Sequence, residues 1–341
     1  YRFSEQAHVG VTAYTADFDK LISADNPYRV PVQRSRVVGV DFESSGKTVS
    51  VFGEWARNRS GAFGGVSGVV LWFEPFAAVS FLVRSNPNTL LSAHGSVAHR
   101  RGSEAKNEWG LYSGLRVRPT NAVVLSGYFD LVRTRRTGLR SPFPGWGYES
   151  FLQADFHPRN YIRLSVRYDF DSQVDTHPAI DDNGLEFRSL VSRWKRNIRL
   201  TFIYEIGRQF VVRGRAEMVE VGNTGASSNE RGMLLYHQIK YRPDRRTTLE
   251  ARVIFFDTDS FDSRVYEFEN DVRGVFANPA LFGRGMRWYA LVRLKIAAFL
   301  GVSAKYAETY RDDVKTMGSG ADAIARNVMS RLNIQLDISL H

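Results

Sequence analysis

Cysteine is absent from this 341-residue chain. Disulfides and thiolate metal sites are therefore excluded, while the compartment stays open, since oxidising compartments do not demand disulfides. Long apolar runs are missing as well: no stretch of eighteen apolar residues occurs, which excludes transmembrane helices. A bilayer could be crossed only by strands closed on themselves. Helical periodicity is equally scarce, the only helix-like piece being "GADAIARNV" near the C-terminal end, so a doubly wound α/β fold is not expected. The chain opens "YRFSEQAHVG", without an initiator Met or the basic and apolar regions of a signal peptide, and reads as a processed or trimmed polypeptide.

Acid is in deficit. Lys+Arg 46 against Asp+Glu 36 gives a formal net charge of +10, which suits nucleic acid, anionic lipid or an anionic solute as partner and equally suits a plain solvated basic surface.

What the chain has in quantity is aromatic residues, 13% with Phe 23 and Tyr 15, at a mean hydropathy of only −0.30. These residues fall on a period of two, the mark of a strand with one apolar face. In "YIRLSVRYDFD" Ile162, Leu164, Val166, Tyr168 and Phe170 form one face, and Arg163, Ser165, Arg167, Asp169 and Asp171 the other. The last segment sets Leu332, Ile334, Leu336 and Ile338 against Arg331, Asn333, Gln335 and Asp337.

The same test predicts strands near 8–19, 34–45, 48–59, 65–74, 77–86, 107–118, 121–135, 147–157, 160–172, 186–206, 210–222, 232–242, 247–258, 286–297, 299–312 and 327–340. Connections alternate between tight turns such as "SGK", "EPF", "RPTN" and "IGRQ" and long polar loops such as "RSNPNTLLSAHGSVAHRRGSEAK". Alternation alone does not separate a soluble sandwich from a barrel. Strand length does: these strands match the roughly nine to eleven residues of a tilted membrane crossing, against about five or six in ordinary globular strands. The expected fold is all-β, an antiparallel up-and-down transmembrane β-barrel of about sixteen strands forming a single domain over 1–341. It would sit in the bacterial outer membrane with periplasmic tight turns and external long loops. Residues 186–206 are kept as one long strand, because splitting it at "KRN" would put every later loop on the wrong side.

The segments "FGEWA", "GVSGVVLWFEP", "NEWGLYSGLRVRP", "GYFDLVR", "YEFENDV", "NPALFGRGMRWY", "KYAETY" and "MGSGADAIARN", in that order, carry a resemblance to the outer-membrane barrels of Bacteroidetes-type helix-hairpin-helix proteins related to the competence protein ComEA. The helix-hairpin-helix segment itself is absent, and such proteins usually have further strands upstream. The resemblance implies that this chain is the C-terminal part of a larger barrel, sixteen strands being a lower bound.

The barrel reading assigns two faces. Facing lipid are Trp109, Leu111, Leu115, Val117, Val123, Leu125, Phe129, Ile162, Leu164, Val166, Leu332, Ile334, Leu336 and Ile338. Facing a wet lumen is a basic set, Arg116, Arg118, Arg163, Arg167, Arg193, Arg199, Arg213, Arg215, Arg252, Arg287, Arg293 and Lys295. These cations suit passage or binding of anionic solutes or a nucleic-acid backbone. The bland alternative, which carries more weight, pairs them with Glu108, Glu149, Asp155, Asp169, Glu205, Glu217 and Glu250 in ladders that stiffen the wall.

No metal or cofactor is expected, since the acidic stretches "DTDSFDS" and "DDNG" lack a complete calcium-loop signature and read as polar turns. Catalysis is not expected either. His94 and His99, with Ser92, Ser96 and Glu104 in one loop, come nearest to a hydrolase set, yet no motif fixes their geometry. The functional expectation is a channel or the membrane anchor of an envelope complex. The alternative is a binding or assembly component of secretion or DNA-uptake machinery with a plugged lumen; a rim hydrolase is the least favoured. Partners would be outer-membrane lipid, envelope proteins, and an anionic solute or nucleic acid.

Overall fold

The computed structural model describes residues 2–4, 6–22, 32–87, 89–90, 108–134, 144–180, 183–225, 228–318, 320 and 323–339. After a three-residue β1 (Arg2–Ser4) come β2 (Ala7–Ile22), β3 (Val32–Ser45), β4 (Val49–Asn58), β5 (Phe63–Phe73), β6 (Ala77–Asn86), β7 (Glu108–Thr120), β8 (Val123–Thr134) and β9 (Gly145–Arg159). The chain continues through β10 (Ile162–Ile180), β11 (Glu186–Ile206), β12 (Phe210–Asn223), β13 (Glu230–Tyr241) and β14 (Thr247–Thr258). Two short strands, β15 (Val265–Tyr266) and β16 (Ala280–Leu281), precede β17 (Arg284–Ala297), β18 (Leu300–Arg311) and β19 (Val328–Ile338).

Each long strand pairs antiparallel with the next, from β2 to β14 and on through β17, β18 and β19. The protein is an all-β, up-and-down antiparallel barrel of sixteen long strands, in the class of bacterial outer-membrane proteins. An even count leaves β2 and β19 antiparallel to one another. Among the described residues there is no α-helix; where the helix-like signal lay, Met317 and Ile324 form a single antiparallel bridge instead.

Turn chemistry explains the short connections. In the 242–246 turn, the carboxylate of Asp244 accepts the backbone N–H groups of Arg246 at 2.6 Å and Thr247 at 2.7 Å, which holds it below the usual carboxylate range. Gly207, between β11 and β12, has φ of +62°, a left-handed conformation that favours glycine.

β11 is unbroken over 21 residues and pairs with β10 along the whole of that strand. At roughly 3.3 Å per residue it is about twice the length of a tilted crossing, so the hairpin projects beyond the apolar band. The register carries the two faces through the sheet. Trp109, Leu111, Leu115, Val117, Val123, Leu125, Phe129, Ile162, Leu164 and Val166 lie on one face, as do Leu332, Ile334, Leu336 and Ile338. Leu115 is 51% exposed and Ile334 71%, as befits side chains whose solvent is hydrocarbon. On the opposite face Arg84, 3% exposed, donates to Glu108 at 2.7 Å and twice to Asp130 at 2.9 Å, tying β6, β7 and β8 together from inside.

Candidate functional site: a strap inside the lumen

The connection between β14 and β17, residues 259–283, does not stay outside the barrel. Its segment "VYEFEND" keeps the period of two: Val265, Glu267, Glu269 and Asp271 are buried, while Tyr266 and Phe268 are exposed. β15 pairs with β16, Glu269 bridges to Ala277, and Val275 N–H closes the tip on Val272 C=O at 3.2 Å. Gly274, with φ of +80° and open space around it, makes that turn feasible. The result is a narrow hairpin, here termed the strap, laid along the inner wall.

Three carboxylates fasten it. Glu267 is bound by Arg215 and by Arg252 at 2.7 Å. Glu269 receives both Nε and Nη2 of Arg287, at 2.6 and 2.9 Å, and Nζ of Lys305 at 3.0 Å. Asp271 accepts from Lys305 at 3.1 Å and from Asn333 at 2.9 Å, and Arg293 donates to its backbone carbonyl at 2.5 Å. Fork-shaped guanidinium–carboxylate bonds are the strong kind, and Glu267, Glu269, Arg252 and Lys305 are all buried. Polar anchoring continues through Asn270, which donates to both oxygens of Glu250 at 2.8 and 2.9 Å, with Tyr289 hydroxyl on the same carboxylate at 2.6 Å.

Apolar contact seals the upper part. Val265 and Leu281 of the strap join one buried cluster with Val219, Val221, Leu234, Tyr236, Ile254 and Phe256 of the wall. The inner face of β12 to β14 is therefore apolar where the strap covers it and charged where the strap's acids reach. From Arg287 to Arg293 on β17 the contacts descend into the bore.

Eleven of the twelve basic residues expected in the lumen fall on the inner face by register, Arg118 lying in the irregular stretch before its turn, but they are not one set. Arg215, Arg252, Arg287 and Arg293 are bound by the strap. Arg167 pairs along its own strand with Asp169 at 2.7 Å, Arg199 crosses to Glu217 at 3.1 Å, and Arg193 reaches Asp262 of the strap at 2.9 Å. Arg116, Arg118, Arg163, Arg213 and Lys295 have no acidic partner among the described residues; all lie on the halves of their strands nearer the tight turns. Opposite the strap, Tyr112, Tyr128 and Phe151 stack at 5.5 and 5.3 Å, with Arg167 over the last ring at 4.8 Å.

Lys305, Gln238, which accepts from Arg252 at 3.0 Å, and the acids Glu267, Glu269 and Asp271 were not among the candidates. Two signals marked them: the alternating acids of "YEFEND", and strands such as "RVIFFD", where Ile254 and Phe256 make the inner face as apolar as the outer. The loop holding His94 and His99 lies outside the described residues. No group of carboxylates and histidines suited to a metal occurs among the described residues.

No protein-family model matches the chain, and no curated protein matches it in sequence. Among solved structures it is similar to outer-membrane-expressed OmpT of Vibrio cholerae, at 10% identity and a TM-score of 0.44 over 98% of each chain. It is also similar to the outer membrane channel DcaP of Acinetobacter baumannii, at 10% identity and a TM-score of 0.39 over 90% of this chain and 99% of that one. A porin aligns at 10% identity and a TM-score of 0.42 over 90% and 94%. The barrel assignment stands on strand order, register and face separation.

Proposed function

We propose that the protein is a diffusion channel of the outer membrane whose bore is narrowed by the strap. The observation that supports it is the zipper of Glu267, Glu269 and Asp271 on the inner wall. A loop held by so many buried charges has a fixed shape, and a fixed constriction is what sets size and charge preference in a pore. The strap's described bonds run to β11–β14 and β17–β19, which leaves the wall carrying Tyr112, Tyr128 and Phe151 facing water. Cations are neutralised at the strap and unmatched toward the tight turns, which supports a weak preference for anions. Single-channel recording in planar bilayers under a salt gradient is the test. Open channels with a reversal potential on the anion side are expected, moved toward cations by Arg163→Glu with Arg167→Glu; inserted protein that passes no current would refute it.

A further inference from the structure

Outward-facing charge is confined to one end of the barrel. On the regularly paired positions of the outer face, the half next to the tight turns is built of Val, Leu, Ile, Phe, Tyr and small residues, with the single imidazole of His237, and carries no Asp, Glu, Lys or Arg. At the long-loop end the same face carries Arg34, Arg36, Arg57, Arg133, Arg196, Arg231 and Arg284, all exposed. Acid offsets only part of this. Asp17 takes Arg34, Asp257 takes Arg284 at 3.1 Å, and the buried Glu220 is shared by Arg196 and Arg231. Arg36, Arg57 and Arg133 have no acidic partner among the described residues.

Indole rings lie at the same height. The guanidinium of Arg133 sits 5.3 Å over the ring of Trp146, which meets Trp109 edge-on at 6.3 Å. Arg196 sits 5.6 Å over Trp194, itself stacked on Phe170 at 6.4 Å. Trp55, two residues from Arg57, stacks on Phe63 at 5.0 Å. Tryptophan settles where hydrocarbon gives way to headgroups, so arginines at and just beyond these rings stand among the headgroups. A guanidinium lying flat on a ring keeps its N–H edge free, and that planar fork matches phosphate oxygens in pairs.

We propose that this belt is a binding surface for phosphate-bearing lipid headgroups of the outer leaflet, with Arg57 and Arg133, the unmatched arginines beside its indole rings, as the main contacts and the Trp109–Trp146 pair as the floor beneath one of them. The proposal needs the membrane barrel but not the channel reading, so a protein that conducts nothing can still pass its test. Phosphate reaches this surface on a lipid: the rings below it are submerged, and the acyl chains of the same molecule meet the apolar band directly underneath.

The test is lipid retention by the whole barrel, read by native mass spectrometry after extraction from phosphatidylcholine vesicles with and without bisphosphorylated lipid A. Wild-type protein should retain lipid A selectively, and retention should fall as salt rises. Arg57→Gln with Arg133→Gln should lower it about thirtyfold, about fivefold per arginine, with phosphatidylcholine retention unchanged and Arg→Lys at both positions restoring part of the loss. Equal retention by the Gln variant, salt-independent retention by the wild type, or thermal stabilisation of equal size by inorganic phosphate alone would each overturn the proposal. If the Gln variant does not insert, the salt series on wild-type protein decides.

Discussion

Removing the carboxylate of Glu269 should release the lower half of the strap and nothing else. That side chain is wholly buried, and its partners Arg287 and Lys305 are 15% and 2% exposed, so Glu269→Ala leaves Arg287 without a carboxylate and Lys305 with Asp271 alone, at a site shielded from water. Breaking a buried ion pair on one side costs about 3–5 kcal/mol. At the lower figure the detached population of the 269–277 segment rises roughly a hundredfold. The upper half stays in place, because Glu267 still holds Arg252 at 2.7 Å and Val265 and Leu281 remain in the apolar cluster. The expected recording is therefore a channel that flickers between the wild-type level and a larger one, with the reversal potential moved further to the anion side by the loss of one buried negative charge. Glu269→Gln, which keeps an acceptor and loses the charge, should show the selectivity change with less flicker. Glu269→Ala traces with unchanged conductance, noise and reversal potential would refute the view that this zipper holds the constriction.

The same geometry sets two further outcomes. Phe129→Arg places a cation on the outward face near mid-strand and should destabilise the folded barrel by about 2–4 kcal/mol in urea titrations. Ser126→Arg, inward on the same strand, should cost far less, and equal costs would contradict the face assignment. Phe276 is 78% exposed on the strap and the chain has no cysteine, so Phe276→Cys should give stepwise loss of current on addition of a bulky thiol reagent; unchanged current would place the strap away from the solute path.

The barrel was legible because its rule is local. In "NEWGLYSGLRVRP" the contrast between each residue and its immediate neighbour reveals which side it takes, and sixteen such stretches between alternating short and long connections leave little choice of topology. The 186–206 segment was decided by parity, since an extra turn there would have reversed every later hairpin. The strap was not legible, because its position depends on contacts tens of residues away: Glu267 with Arg215, Asp271 with Asn333. Read alone, "DTDSFDS" at its start is an ordinary polar turn. The alternating acids of "YEFEND" and the doubly apolar strands β13 and β14 were the signals that something covers the wall there. Nor could spacing divide the lumen cations into those that bind the strap and those, such as Arg116 and Lys295, that stay unmatched.

The strap lies against one side of the bore only, and this divides the circumference into two regimes of change. Along β12 to β18 an inward residue such as Tyr289 or Leu291 belongs to a packed interior, so substitution there is charged to folding before it reaches permeation. Along β5 to β9 an inward residue such as Ser80 or Ser126 borders solvent, and a new side chain there changes what passes with little effect on whether the barrel forms. Drift in solute preference among descendants of this chain should therefore be written on the first half of the barrel, with the second half held as the frame.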